Sequence, residues 1–276
     1  MSTPNDCFEQ ANRERDGLLG FVQNRLLCIM DFIHEVCVKE NINYSLSGGT
    51  LIGAIRHKGF VPWDVDIDIT MNREDYDKFA SVVSDYCEKS GQFVLKRDIL
   101  RVPCIQFVSE QKYEDSVVNG IQVDIFILDN LPEEEKKRRR QIFKLKTLQS
   151  IMLHKQKFRW SRFSFKKKLV LFITKILSLF RTRKGLIKSY TKHSVKYNGY
   201  PTSDKFISND LFAVIDIVYK AEWVREVEPT QFEDRKYFVF KGYDDFLRVR
   251  YGDYMKMPPE SERIPQHGLK NKNSAT

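Results

Sequence analysis

In the run Pro62-Trp63-Asp64-Val65-Asp66-Ile67-Asp68-Ile69, carboxylates alternate with apolar residues. In a strand, successive side chains point to opposite faces. Asp64, Asp66 and Asp68 then share one face, spaced roughly 6–7 Å apart, while Val65, Ile67 and Ile69 turn toward a core. Three anions on one partly buried face repel one another unless a cation sits among them. Mg²⁺ and Mn²⁺ take carboxylate oxygens. The pattern therefore has two readings: a solvated acidic strand face, or ligands for a hard divalent cation.

Two further features bear on that choice. Gly48-Gly49-Thr50 follows a short apolar run. Glycine lets backbone N–H groups approach an anion closely, and a following helix N-terminus favours phosphate. Taken alone, the triplet reads first as a turn. Asp124 lies in Gln122-Val123-Asp124-Ile125-Phe126. An acid inside an apolar strand is costly without a partner, and an acid on an edge strand is the plainer alternative. Together the three features describe a phosphate cradle beside an acidic strand, with one more acid from a neighbouring strand.

These residues need elements to position them. Leu18 to Glu40 predicts an amphipathic helix, because Val22, Leu26, Ile29, Ile33 and Val36-Cys37 recur at helical spacing. NINYSLSGGT predicts a short strand and a glycine turn, and LIGAIRHKGF a short helix with a loop. Asn72 is placed to cap the next helix, with Asp75 as a box-like partner. FVLKR, CIQFV and IQVDIFIL predict strands. LPEEEKKRRRQIFKLKTLQSIMLHKQ predicts a long helix, acids first and bases after, as the macrodipole favours. Further helices are expected over 166–180 and 184–197, then a strand at KYFVF and a helix at YDDFLRVRYG. The expected organisation is α/β (α+β): a catalytic core over 1–130, a helical elaboration over 131–205, and a C-terminal return over 206–276 that completes the active site.

Composition sets the bounds. A chain of 276 residues, 42% hydrophobic, forms one large domain or two small ones. Lys+Arg number 46 against 37 Asp+Glu, a formal charge of +9, which suits a nucleotide, an acidic glycan or a membrane surface. Nucleic acid is disfavoured: no recognisable binding motif is present, and acids without metal repel phosphates. The five cysteines are scattered without a CxxC pair, which supports neither a zinc site nor a disulfide framework and suits a reducing cytoplasm. The polar start MSTPNDCFEQANRERD does not read as a signal peptide. Leu169 to Phe180 is the longest apolar run, and it falls short of the roughly 20 residues of a membrane span. Phe165 to Lys184 is apolar around most of its circumference, with basic clusters at both ends. It reads either as an interfacial helix on an anionic membrane or as a buried helix. The expected location is cytoplasmic, peripheral at the inner face of the membrane under the first reading.

YSLSGGTLIGAIRHKGFVPWDVDIDITMNREDYDKF closely resembles the signature of the LicD family, the relatives of fukutin and fukutin-related protein. VDIFILD resembles the family's second acidic strand, and FEDRKYFVFKGYDDFLRVRYGDYMKMPPESERIPQH its C-terminal block. The resemblance is weakest from about residue 135 to 205. Where bacterial members usually read WDDDID, this chain reads WDVDID. Val65 lies opposite Asp64, Asp66 and Asp68 in a strand, so the departure leaves the acidic face intact.

The resemblance implies a nucleotidyltransferase-like mixed sheet flanked by helices, with a helical insertion, using Mg²⁺ or Mn²⁺. It implies transfer of a phosphorylated alcohol from a CDP-linked donor, CDP-choline favoured, to a sugar hydroxyl of a cell-surface or lipid-linked glycan, with release of CMP. Relatives use ribitol phosphate and glycerol phosphate donors. True nucleotidyl transfer, releasing pyrophosphate, is a different reaction on the same fold that the acids alone do not separate. Asp66 and Asp68 are the implied catalytic metal ligands, and Asp124 completes the set. Asp64 is either a further ligand or the holder of Arg56 or a loop amide. Gly48, Gly49 and Thr50 are expected to meet donor phosphate, and Arg56 and Lys58 to neutralise it, each of the two being equally readable as a surface cation. Arg263 and His267 are candidates to reach the active site.

Overall fold

The computed structural model describes residues 17–97, 102–114, 116–153, 175–176, 178–199, 204–210 and 214–263. They form two units. The first draws on the chain up to Arg97, on Pro103–Phe126 and on everything from Trp223 onward. The second is built mainly from Ile127–Glu222.

The first unit opens with α1 (Gly17–Lys39), which buries Val22, Leu26, Ile29, Ile33, Val36 and Cys37, the residues its spacing singles out. Then follow β1 (Ser45–Leu46), α2 (Gly48–Arg56), β2 (Ile67–Asn72), α3 (Arg73–Ser90), β3 (Phe93–Lys96), β4 (Cys104–Phe107), the small hairpin β5 (Gln111–Tyr113) and β6 (Ser116–Val118), and β7 (Gln122–Leu131). The sheet order is β1-β2-β7-β4-β3. β1 pairs antiparallel with β2, and β4 with both β3 and β7.

In the second unit the later half of β7 pairs with β8 (Lys205–Ser208), and β8 with β9 (Val218–Lys220), both antiparallel. Helices α4 (Glu135–Leu153) and α5 (Arg183–Ser194) pack through Leu148, Ile151, Met152 and Leu186. Thr182 caps α5, accepting from the Gly185 amide. After the single turn α6 (Ala221–Val224) come the hairpin β10 (Val227–Phe232) and β11 (Arg235–Phe240), and then α7 (Tyr243–Tyr251). This is the mixed α/β architecture with a helical insertion that the sequence implies. The units divide at 126/127 and 222/223, so β8 and β9 belong with the helical insertion.

The hairpin is fastened to α1 by charge and by rings. Arg235 Nε donates to both oxygens of Asp31 (3.1 and 2.9 Å), and the Tyr237 hydroxyl donates to Asp31 Oδ1. His34 shares a 2.7 Å hydrogen bond with the Tyr44 hydroxyl and packs edge-on against Tyr44, Tyr237 and Phe238.

Several local expectations need correction. The acidic strand begins at Ile67, so Asp64 and Asp66 lie in the loop before it. The predicted alternation survives: Val65, Ile67 and Ile69 are buried, and the three acids are half-buried. Asn72 stands at the N-cap of α3 but makes no capping bond. Its Nδ2 donates to the Val224 carbonyl, its Oδ1 is buried without a partner among the described residues, and Asp75 accepts from the Asn43 amide instead. Cys37, Cys87 and Cys104 are buried free thiols. Cys28 is disulfide-bonded, which the scattered spacing does not announce. Most of the helix expected over 166–180 lies outside the described residues.

His34 supplies a pH test of this packing. Burial lowers its pKa from the ordinary value of 6.5, against the pull of Asp31. The folded state therefore binds the proton more weakly than the unfolded chain. The stability from the neutral ring is complete above pH 6.5 and is lost as pH falls from there through the lowered folded value. Urea unfolding at pH 8 and pH 5 should show a smaller acid-side loss in His34→Gln than in the parent.

Candidate active site

The first turn of α2 is where the acids converge. Ser47 makes no side-chain cap there. Carboxylates approach instead. A Cβ built on Gly49 would stand 2.7 Å from Asp64 Oδ2, and one built on Gly48 would stand 2.9 Å from Asp68 Oδ2. Gly48 also has φ +57, which side-chain-bearing residues rarely adopt. The two glycines thus leave room for two acids against the positive end of a helix. In the sequence the same pair reads as room for phosphate.

The acid loop is held by its neighbours. Gln23 of α1, itself buried, donates to the Asp64 carbonyl at 2.9 Å. The Val65 amide donates to Asp64 Oδ1 at 3.2 Å, which is the loop-amide alternative for Asp64. The Asp66 carboxylate lies beside the Asp64 carboxyl group. Burial, then the Asp66 charge, pushes Asp64 up to about 8. Thr50 is buried, and its hydroxyl oxygen accepts the Asp68 amide at 3.0 Å. The Ser47 amide donates to the Asp68 carbonyl at 2.9 Å. Thr50 and Ser47 therefore fix the register between α2 and β2. Asp124 lies on β7, the strand next to β2, opposite Cys104 of β4, and accepts from Gln122 Nε2 at 2.6 Å.

Arg56 is engaged by backbone carbonyls, and the Lys58 side chain is exposed. Arg56 Nη1 donates to the carbonyls of Tyr254 (2.8 Å) and Lys256 (3.2 Å), and its Nε donates to His57 Nε2. The Arg56 guanidinium thereby ties the last residue of α2 to the loop after α7. Lys58 has an exposed side chain and φ +59, and its carbonyl accepts the Glu233 amide at 2.6 Å. Glu233, in the turn between β10 and β11, accepts the Phe60 amide at 2.8 Å. The hairpin tip so holds the loop that leads to the acids. Arg263 Nε turns back to the Pro258 carbonyl at 3.0 Å, and His267 lies outside the described residues. The contact that sequence reading misses is Tyr251, whose hydroxyl lies 3.7 Å from the empty Cβ position of Gly48.

The donor set suits a hard divalent cation in chemistry: all oxygen, partly buried, with Asp64 and Asp66 in mutual contact and Asp64 pushed toward its protonated form. Among the described residues, no three His, Cys, Asp or Glu side chains already form a metal-holding group. Oxygen donors of this kind suit Mg²⁺ or Mn²⁺ in chemistry, and one or two carboxylates suffice where substrate oxygens complete the set.

A family model described as LicD/FKTN/FKRP, nucleotidyltransferase domain, matches residues 41–177. That span covers the α2 turn, Asp64, Asp66, Asp68 and Asp124. The chain is 31% identical over 264 residues to the lipopolysaccharide cholinephosphotransferase LicD of Haemophilus influenzae, covering 89% of this chain and 95% of that protein. Shorter matches run to uncharacterized proteins of Rickettsia typhi (36% over 76 residues, 28% of this chain and 24% of that protein) and Rickettsia prowazekii (29% over 107 residues, 38% and 39%).

The raised Asp64 sets the sign of a stability test in metal-free buffer. Its folded pKa of about 8 exceeds the ordinary 3.8. The folded state therefore holds a proton that the unfolded chain releases, and stability falls as pH rises from 3.8 toward 8. Asp64→Asn removes that loss. Thermal melts with chelator should show the variant melting higher than the parent at pH 8, by roughly 2–4 °C per kcal/mol relieved, with the gain shrinking toward pH 4.

Proposed function

The chain belongs to the LicD family, and on that premise we propose that it transfers phosphocholine from CDP-choline to a sugar hydroxyl of a cell-surface or lipid-linked glycan, releasing CMP. The full-length similarity to a cholinephosphotransferase carries the reading. The acids gathered at the start of α2 support its chemistry.

In the proposed reaction the acceptor oxygen forms a bond to the phosphorus that bears choline, and the bond from that phosphorus to the CMP oxygen breaks. The acceptor proton goes to a carboxylate of the site. Such transfer depends on positioning and charge neutralisation more than on covalent help. Asp66, Asp68 and Asp124, with Asp64, would hold Mg²⁺ or Mn²⁺. The bound ion would neutralise the diphosphate and the departing CMP. The chain's own part is to present these oxygens on a loop and two neighbouring strands, steadied by Gln23, Thr50 and the β10–β11 turn.

A lipid-linked acceptor would place the protein on the cytoplasmic membrane surface. Ile176, Leu179 and Phe180 are exposed, with exposed Arg181, Arg183 and Lys184 beside them, which supports an anionic surface as partner. The earlier part of that stretch lies outside the described residues. Among the described residues, no helix is long and apolar enough to cross a membrane.

The test is product analysis. With Mg²⁺ or Mn²⁺ and a glycolipid acceptor, CMP should appear from CDP-choline in preference to CDP-ribitol or CDP-glycerol. Asp66→Asn should lower the rate by about 10²–10³-fold. CMP from CDP-ribitol alone would change the donor, pyrophosphate from CTP would change the reaction, and a fully active Asp66→Asn would remove the acid from the chemistry.

A further inference from the structure

Above Gly48 two oxygens face the same small space. Asp68 Oδ2 lies 2.9 Å and Tyr251 Oη 3.7 Å from the point where a Cβ would stand. Tyr251 is the last residue of α7 and is 40% exposed. In that it differs from Tyr44 and Tyr237, whose rings are core. The Arg250 guanidinium lies 5.1 Å from the Tyr251 ring centroid.

The place of this phenol is built from several sides. The chain turns just after it at Gly252, whose φ is +65 and whose amide donates to the Arg248 carbonyl. The Tyr254 hydroxyl donates to Asp244 Oδ1 at 2.7 Å, back on the first turn of α7. Arg56 then grips the Tyr254 and Lys256 carbonyls. One end of α2 therefore fixes the loop behind Tyr251, while the other end carries the glycine that Tyr251 overhangs.

We propose that Tyr251 is a donor-binding residue of this site, its hydroxyl donating a hydrogen bond to a diphosphate oxygen held beside Asp68 at the start of α2. A phenol keeps its proton at neutral pH. It can meet a phosphate oxygen without the repulsion that the neighbouring acids exert. The proposal rests on the reading of the chain as a CDP-alcohol phosphotransferase, and it gives the C-terminal YGDYM block a contact at the site.

The experiment compares the full chain with Tyr251→Phe, using CDP-choline as substrate and CDP as a competing ligand. A hydrogen bond to a charged group is worth about 1.5–3 kcal/mol, so the KM for CDP-choline should rise about ten- to hundred-fold. The inhibition constant of CDP should rise by the same factor, and kcat and the melting temperature should stay near the parent's. Unchanged KM in an active Tyr251→Phe overturns the proposal and leaves the phosphotransferase reading standing. A lower kcat or melting temperature with KM unmoved makes Tyr251 a support for Asp68 and also overturns it. A raised KM with unchanged CDP inhibition moves the contact to the alcohol and overturns the diphosphate assignment. Absence of any CDP-alcohol turnover or binding in the parent overturns the underlying reading, and this proposal with it.

Discussion

The approach of Asp64 and Asp68 to the first turn of α2 is the constraint around which the first unit is arranged. Two carboxylates occupy the space that side chains would take at Gly49 and Gly48. That arrangement is possible only with glycine at both positions, and the left-handed backbone at Gly48 adds a second reason there. The positive end of the helix offsets part of the charge. It does not offset all of it, since Asp64 still sits beside Asp66 with its pKa driven up by burial and by that neighbour. A folded chain that keeps such a group forgoes stability at this point.

The rest of the unit can be understood as the means of holding that arrangement still. Gln23 reaches from α1 to the acid loop. Thr50 and Ser47 lock α2 to β2 on either side of Asp68. Glu233 props the loop at Lys58–Phe60, and Asp31 anchors the hairpin that carries Glu233. Arg56 joins the far end of α2 to the chain beyond α7. Most of these bonds use backbone groups as one partner, so they fix main-chain position, and the carboxylates inherit that position.

Much of this was legible in the sequence, and the failures have a common cause. The apolar positions of α1 and the alternation from Val65 to Ile69 depend on local periodicity, and both appear as burial. The strand itself starts later than the alternation suggests, because Asp64 turns to its own following amide. The Asn72–Asp75 capping box fails because Val224 and Asn43 offer each side chain a tertiary partner. Arg56 beside a glycine turn gives no sign in the sequence of the Tyr254 and Lys256 carbonyls that its guanidinium holds. Tyr251 gave no local sign of a place at the site. For Asn72, Asp75, Arg56 and Tyr251 the deciding group lies far along the chain, where pattern and spacing carry no information. The family resemblance was legible because its motif is long and contiguous across the α2 turn and the acids.

The clamp by Arg56 joins positions 198 residues apart, and this has a consequence for how the molecule forms. The acids, their glycines and the threonine beneath them are all made early and are near neighbours in sequence. The hairpin that braces their loop and the segment that Arg56 grips are made later, after the whole helical insertion. Contacts of such separation require closure of a long loop before they return any stabilisation, and they slow folding accordingly. A nascent chain therefore carries the acidic cluster with Gln23, Ser47 and Thr50 beside it while the hairpin and the segment gripped by Arg56 are still to come, and the site reaches its final geometry only when those contacts close.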